Sequence, residues 1–317
     1  MVKRKVKIKK LIALLLCLAF VVSCEKTKVL QETNVAEQNK QENETNHLQA
    51  SWQNTENPLP TEEPVVYINS AGACLKERIR VPDGFVRMDN KKNSFGEFLA
   101  NYPMCEDGQP VLLYDGTKKA NQNAHIAVFD MDVTEGDLQQ CADSIMRMYA
   151  EYFYQQKQYE KIKFHFVNGF SCDFDKWSQG MRVKIDGNKT SWYQGGQADA
   201  SKETLEKYLR VVFSYASTLS MEQESEPITI GELRVGDLFI RGGSPGHVVM
   251  VADVCENEKG EKAFLLAQGY MPAQQFHIIK NPAHEENPWY YETELTYPFR
   301  TAEYSFDEGS LRRPEYN

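Results

Sequence analysis

The sequence lacks an apolar stretch long enough to cross a bilayer. The run Leu11–Val22 is twelve residues, against the roughly 20 that a spanning helix needs. It also lacks basic excess: 36 Lys and Arg face 45 Asp and Glu, a net charge of −9. That balance argues against nucleic acid as a partner and against docking on anionic lipid through a basic patch. Peptide and glycan substrates stay open. No cysteine or histidine spacing resembles a zinc cluster, and the six histidines are scattered, so neither a metal nor a cofactor is expected. No internal repeat is visible.

What is present begins at the N-terminus. Lys3, Arg4, Lys5, Lys7, Lys9 and Lys10 precede the short apolar run, and a small-residue exit follows it. That layout is an export signal. Its exit, Val21-Val22-Ser23-Cys24, resembles a bacterial lipobox, which implies lipid on the Cys24 thiol and cleavage before it. Two or three acyl chains anchor stably where one binds only marginally. An ordinary signal with a chance cysteine, or an uncleaved N-terminal anchor, is the alternative. Cleavage would remove six cations and leave 30 Lys and Arg against 45 Asp and Glu, a net of −15.

Residues 25–64 are dominated by Glu, Gln, Asn and Thr with no helical or strand period, the composition of a disordered tether. Its root-mean-square span is about 35 Å for a flexible chain of this length. The expected organisation is a signal over 1–23, the lipidated Cys24 and tether over 24–64, and a globular domain over 65–317. The anchor and tether imply a cell-envelope location with the membrane as a partner through Cys24.

In the globular part helices and strands mix. Ser94-Phe-Gly-Glu97 is a capping box opening a short helix to about Tyr102. Val111–Tyr114, His125–Met131 and Lys161–Val167 read as strands, and Met181–Ile185 as one arm of a hairpin turning near Asp186-Gly187. Thr134–Asp137 reads as the cap of the longest helix, running to about Gln158. Ser201 opens a second helix, with Leu205, Tyr208, Leu209, Val212, Phe213 and Ala216 at helical spacing. The last third is strand-rich: Asp237–Ile240, Gly246–Val254, Lys262–Gln268 and Phe276–Ile279. The pattern predicts an α+β single domain with a mostly antiparallel sheet and two principal helices.

The sharpest local signal is Gly236-Asp237, a strand, a glycine-rich turn, then Gly246-His247 opening an apolar strand. This segment resembles the histidine strand of NlpC-type papain-like cell-wall peptidases and related amidases. The resemblance implies a papain-like architecture in which His247 is the general base for a cysteine and a polar residue of the next strand, here Gln268, orients it. A turn histidine satisfied by a backbone group is the bland alternative.

Among the five cysteines after Cys24, Cys141 is the best match to the nucleophile position, since it precedes the histidine at the front of the long helix. Two features oppose it. The expected cap places it at least one turn inside the helix, where the dipole effect has faded. It also falls on the apolar face with Leu138, Ile145, Met148 and Tyr152, as a buried structural cysteine would. Cys172 reads as a weaker candidate in a loop, and Cys255 as structural. Cys74 and Cys105 carry no motif. A disulfide among the five would leave at least one thiol free. Trp177, Trp192-Tyr193 and Trp289-Tyr290-Tyr291 are either groove lining or, more in keeping with aromatics, core. Arg147 and Glu151 are spaced for an i,i+4 ion pair.

Taken together, Tyr114-Asp-Gly-Thr-Lys, Asn121-Gln-Asn-Ala-His125, Asp137-Leu-Gln-Gln-Cys-Ala-Asp143, Trp177-Ser-Gln-Gly180, Gly243-Ser-Pro-Gly-His247 and Leu265 through Gln274 resemble the domain of unknown function 4846 (DUF4846) of exported bacterial lipoproteins. The resemblance spans about Val81 to Tyr291 and implies a single exported domain, with no activity to transfer. Three functions therefore stay open. One is a cysteine hydrolase or amidase acting on peptide or peptidoglycan bonds, with Cys141, His247 and Gln268 as its triad. The second is a non-catalytic binding or scaffold lipoprotein with an NlpC-like fold. The third is an assembly factor that works with other envelope proteins through its aromatic surface.

Overall fold

The computed structural model describes residues 65–317 except Asp89. The expected signal, lipidation site and tether lie outside the described residues. Among those described, no helix is long and apolar enough to cross a membrane.

The chain enters through helix α1 (Leu75–Arg78), strand β1 (Phe85–Arg87) and helix α2 (Phe95–Ala100). Ser94 caps α2, its hydroxyl accepting the N–H of Glu97. Strand β2 (His125–Val128) precedes the long helix α3 (Cys141–Gln155). Two hairpins follow: β3 (Lys163–His165) with β4 (Ser171–Asp173), then, after the short helix α4 (Phe174–Ser178), β5 (Met181–Asp186) with β6 (Lys189–Gln194). Helix α5 (Lys202–Tyr215) is capped by Ser201, and α6 (Thr218–Gln223) leads into strand β7 (Ser225–Pro227). The remainder is strand: β8 (Leu238–Arg241), β9 (His247–Asn257), β10 (Lys262–Gln268), β11 (His277–Ile279), β12 (Tyr290–Tyr291), β13 (Phe299–Arg300), β14 (Ser305–Phe306) and β15 (Leu311–Pro314).

Nine strands form one antiparallel sheet in the order β2-β11-β10-β9-β8-β15-β7, with β1 added to β9 and β12 to β10. The expected α+β class with a mostly antiparallel sheet and two long helices is what the chain adopts; α3 and α5 are those helices. Both sheet faces are covered. Val248, Met250, Ala252, Leu265 and Ala267 join one apolar cluster with Ile145 and Met148 of α3 and with α5. Val249, Val251, Phe264 and Leu266 join a second with Phe239, Phe299 and Phe306. Burial on both faces explains why β9 and β10 read as continuous apolar runs rather than as alternation.

Three expectations change. Val111–Tyr114 makes only isolated bridges, Leu112 to Lys118 and Leu113 to Gln274, and is not a strand. Cys172 lies in β4, fully buried, rather than in a loop. The long helix starts at Cys141, not near Thr134. Its cap is made by Asp143, whose carboxylate accepts the N–H of Gln140 at 3.0 Å. The residues before it form a separate turn: Thr134 donates to Gln139 at 2.9 Å, and Asp137 accepts the N–H of Ala273 at 2.6 Å. Trp177 and Trp289 are core. All five described cysteines are free.

The Gly236-Asp237 pair has a structural task. Asp237, fully buried, accepts from Arg313 through two nitrogens at 2.8 Å each and from the N–H of Arg234. This charge-assisted clamp ties the turn before β8 to β15. Gly236 has φ +93°, and a Cβ there would stand 2.2 Å from the Tyr149 hydroxyl, which donates to the Gly236 carbonyl.

Candidate active site

His247 is the first residue of β9 and Gln268 the last of β10. The register pairs Ala267 with Met250, so Gln268 falls one step further along, on the face shared by Val249 and His247. Both are buried, and His247 Nε2 lies 2.9 Å from Gln268 Oε1. His247 and Gln268, the two strand residues that the sequence singled out, are thus in contact.

The groups around the pair fix where the protons sit. A carboxylate only accepts, so the Gln268 amide nitrogen, 2.7 Å from Glu303 Oε2, must donate to it. The amide oxygen therefore faces His247, and His247 carries its proton on Nε2 as donor. Nδ1 is left as the basic nitrogen. The second proton of the Gln268 amide points toward His277 Nε2 at 3.4 Å, and His277 Nδ1 donates to the Gln275 carbonyl at 2.8 Å. Glu303 is balanced by the buried Lys119 ammonium, with which it makes a direct ion pair, and by Asn121 at 3.2 Å. Every member has one consistent role, the condition for a buried polar network to add rigidity rather than cost.

Cys141, the first residue of α3, comes against the start of β9. The nearby backbone of Ala142 and Val248 favours the ionised form, but burial, and after it Asp143, dominate and push the thiol up to about 12. Gly269 makes the close approach possible. A Cβ there would stand 2.5 Å from Ser144 Oγ and 2.8 Å from the Gln140 carbonyl, so any larger residue would force α3 off the end of β10. Cys141 keeps partial exposure. Its approach is to the strand end rather than across one sheet face. Val248 turns toward α3, while His247 turns the other way, its ring 4.6 Å from Tyr270 and 4.9 Å from Tyr304. Cys141 and His247 are therefore neighbours through Val248, with no sulfur–imidazole hydrogen bond among the described residues.

Burial disfavours the charged forms of the thiol and of both imidazoles. Burial lowers His247 to about 4, against a smaller upward pull from Gln268 and Glu303. Burial likewise carries His277 well below the usual imidazole range and lowers Lys119 against the opposing Glu303. Gly243, Ser244 and Pro245, just before His247, and Met271, just after Tyr270, are exposed. Concavities of about 400 and 830 Å³ elsewhere on the surface are not lined by Cys141 or His247. The smaller holds the Arg147–Glu151 contact's carboxylate: Arg147 donates to Glu151 at 2.9 Å, and Tyr102 donates to the same group.

Glu303, Lys119, Tyr270 and His277 escaped the sequence reading. Glu303 sits in the short turn between β13 and β14, and Lys119 in an irregular segment before β2. Neither has a local motif, and only the tertiary fold brings them to Gln268.

A family model described as a domain of unknown function (4846) matches residues 75–313. No curated protein and no solved structure matches the chain.

Proposed function

The chain belongs to the domain of unknown function 4846 family, and we propose that it is an exported, lipid-anchored cysteine hydrolase or amidase acting on peptide or peptidoglycan bonds at the cell envelope. The observation that carries this reading is the proton order at His247. Glu303 orients Gln268, and Gln268 accepts the Nε2 proton, which leaves Nδ1 free as the base; Cys141 stands beside Val248, the next residue of β9. In the proposed reaction Nδ1 takes the thiol proton as the sulfur attacks a carbonyl carbon. The proton then passes to the departing amine, and water releases the acyl group from the thioester. The thiol starts neutral, so the transfer is coupled to attack, and substrate must draw sulfur and imidazole together. Loose geometry in the free enzyme is common for such pairs. The N-terminal sequence supports the anchor on Cys24 and the envelope setting.

The test is incubation of the purified chain with peptidoglycan and with synthetic stem peptides, followed by mass spectrometry of released fragments. Cleavage by the native chain that is lost in both Cys141→Ala and His247→Ala is the expected result. Cleavage surviving Cys141→Ala would refute the nucleophile. A non-catalytic binding module is the second reading, favoured by the elevated thiol and the missing sulfur–imidazole bond. It requires that peptide or glycan fragments be retained uncleaved by the native chain. Export is checked separately by mass spectrometry of the mature N-terminus, where an unmodified or uncleaved Cys24 would refute the anchor.

A further inference from the structure

A second cluster lies apart from the thiol and the histidine strand. His165 stands at the end of β3, Glu224 at the end of α6 and Glu315 just past β15. The pairing of Pro314 with Ser225 sets Glu315 beside Glu224, and the N–H of Glu315 donates to the Glu224 carbonyl at 2.8 Å. One donor atom from each of the three side chains falls within 4.8 Å of the other two. The Glu224 side chain is only 4% exposed. Its Oε1 is engaged by His165, whose backbone N–H donates to it and whose Nδ1 lies at 2.9 Å. Its Oε2 is buried with no hydrogen-bond partner among the described residues. A buried carboxylate oxygen without a donor is costly and calls for a ligand. The adjoining Tyr316 hydroxyl is buried and unpartnered as well.

We propose that His165, Glu224 and Glu315 bind a divalent transition-metal ion. The donor set decides the class. One imidazole and two carboxylates suit zinc and its neighbours, whereas calcium and magnesium take all-oxygen shells. Metal–ligand bonds of about 2.0–2.2 Å require the three donors to draw in slightly, which the exposed Glu315 can do by a rotamer change. Three protein ligands at a partly exposed position leave room for water or a substrate group. Lys163, which acts electrostatically on Glu224, is the competing cation.

The experiment is calorimetric titration of the chelator-treated full chain with zinc, repeated with cobalt to read the absorption spectrum. One ion per chain is expected. Glu224→Gln and Glu315→Gln should each weaken uptake by about tenfold or more, at least the loss seen when a ligand's hydrogen-bonding partner is removed. Cys141→Ser should bind as the native chain does, and the cobalt spectrum should lack thiolate charge-transfer absorption. Glu315 is exposed, so its variant folds if the native chain does. Absence of uptake overturns the proposal, as does uptake indifferent to Glu315→Gln or a cobalt spectrum showing thiolate ligation.

Discussion

Replacing Glu303 by Gln is the most searching test of the network behind His247. The substitution keeps the shape and removes the charge. Lys119, 8% exposed at its side chain, then loses the carboxylate that balances it, and Glu303 itself is only 11% exposed. Breaking a buried pair from one side costs about 3–5 kcal/mol, because an uncompensated charge stays behind. For a domain of this size each kcal/mol lowers the melting temperature by roughly 2–4 °C, so a fall of about 6–20 °C is expected. The pH dependence has a definite sign. Burial already holds Lys119 below the ordinary lysine range, with Glu303 opposing. Without Glu303 the folded-state value drops further, and the unfolded chain then binds more protons over a wider window. Stability of Glu303→Gln therefore rises with pH toward the ordinary lysine value, more steeply than in the native chain. Adding Lys119→Met removes the stranded charge and should recover most of the loss, since replacing both partners is often near neutral. Urea denaturation across pH measures all of this. A loss below about 1 kcal/mol, less than the range for a broken buried pair, or no recovery in the double variant, would refute the network.

Other outcomes follow from the same geometry. With its thiol pushed up to about 12 by burial, Cys141 should react with iodoacetamide at neutral pH more slowly than an unfolded cysteine and accelerate as pH rises; mass mapping of the modified peptide reads this, and rapid labelling at neutral pH would contradict it. Asp143 is raised by burial to about 8, so the folded state holds its proton across the window from about 4 to 8 and stability is lost as pH rises through it. Asp143→Asn keeps an acceptor for the Gln140 N–H and should flatten that slope; an unchanged slope in urea titrations would exclude the assignment. Gly269→Ala places a carbon against Ser144 and the Gln140 carbonyl, for a loss of about 1–3 kcal/mol typical of overpacking. Calorimetry showing no destabilisation would mean that α3 yields freely at its N-terminus.

The helices and the buried sheet strands were legible because their signals are local. Ser94 and Ser201 cap where their sequence contexts indicate, and the apolar spacing from Leu205 to Phe213 traces the buried face of α5. The contact between His247 and Gln268 was legible because adjacent antiparallel strands bring the start of one beside the end of the next. The start of α3 was misread for a physical reason. Thr134 and Asp137 have the side chains of a helix cap, but each finds a different partner, in Gln139 and in Ala273. The partner of Asp137 lies 136 residues away, beyond any window over which local propensity acts. The correction matters, since it moves Cys141 from inside the helix to its first position. Glu303 and Lys119, far apart in sequence, were invisible for the same reason. So was the cluster of His165, Glu224 and Glu315, which no spacing rule would join.

The two ends of the large sheet carry a further consequence. One is β7, only three residues long, with exposed Glu226 and Pro227; the other is the four-residue β2. A proline offers no N–H to an incoming strand, and a charge on a short border strand disfavours a stacked neighbour. The border thus resists templating another chain. Short, charged and proline-bearing borders of this kind keep an extensive β-structure from seeding fibrous self-assembly.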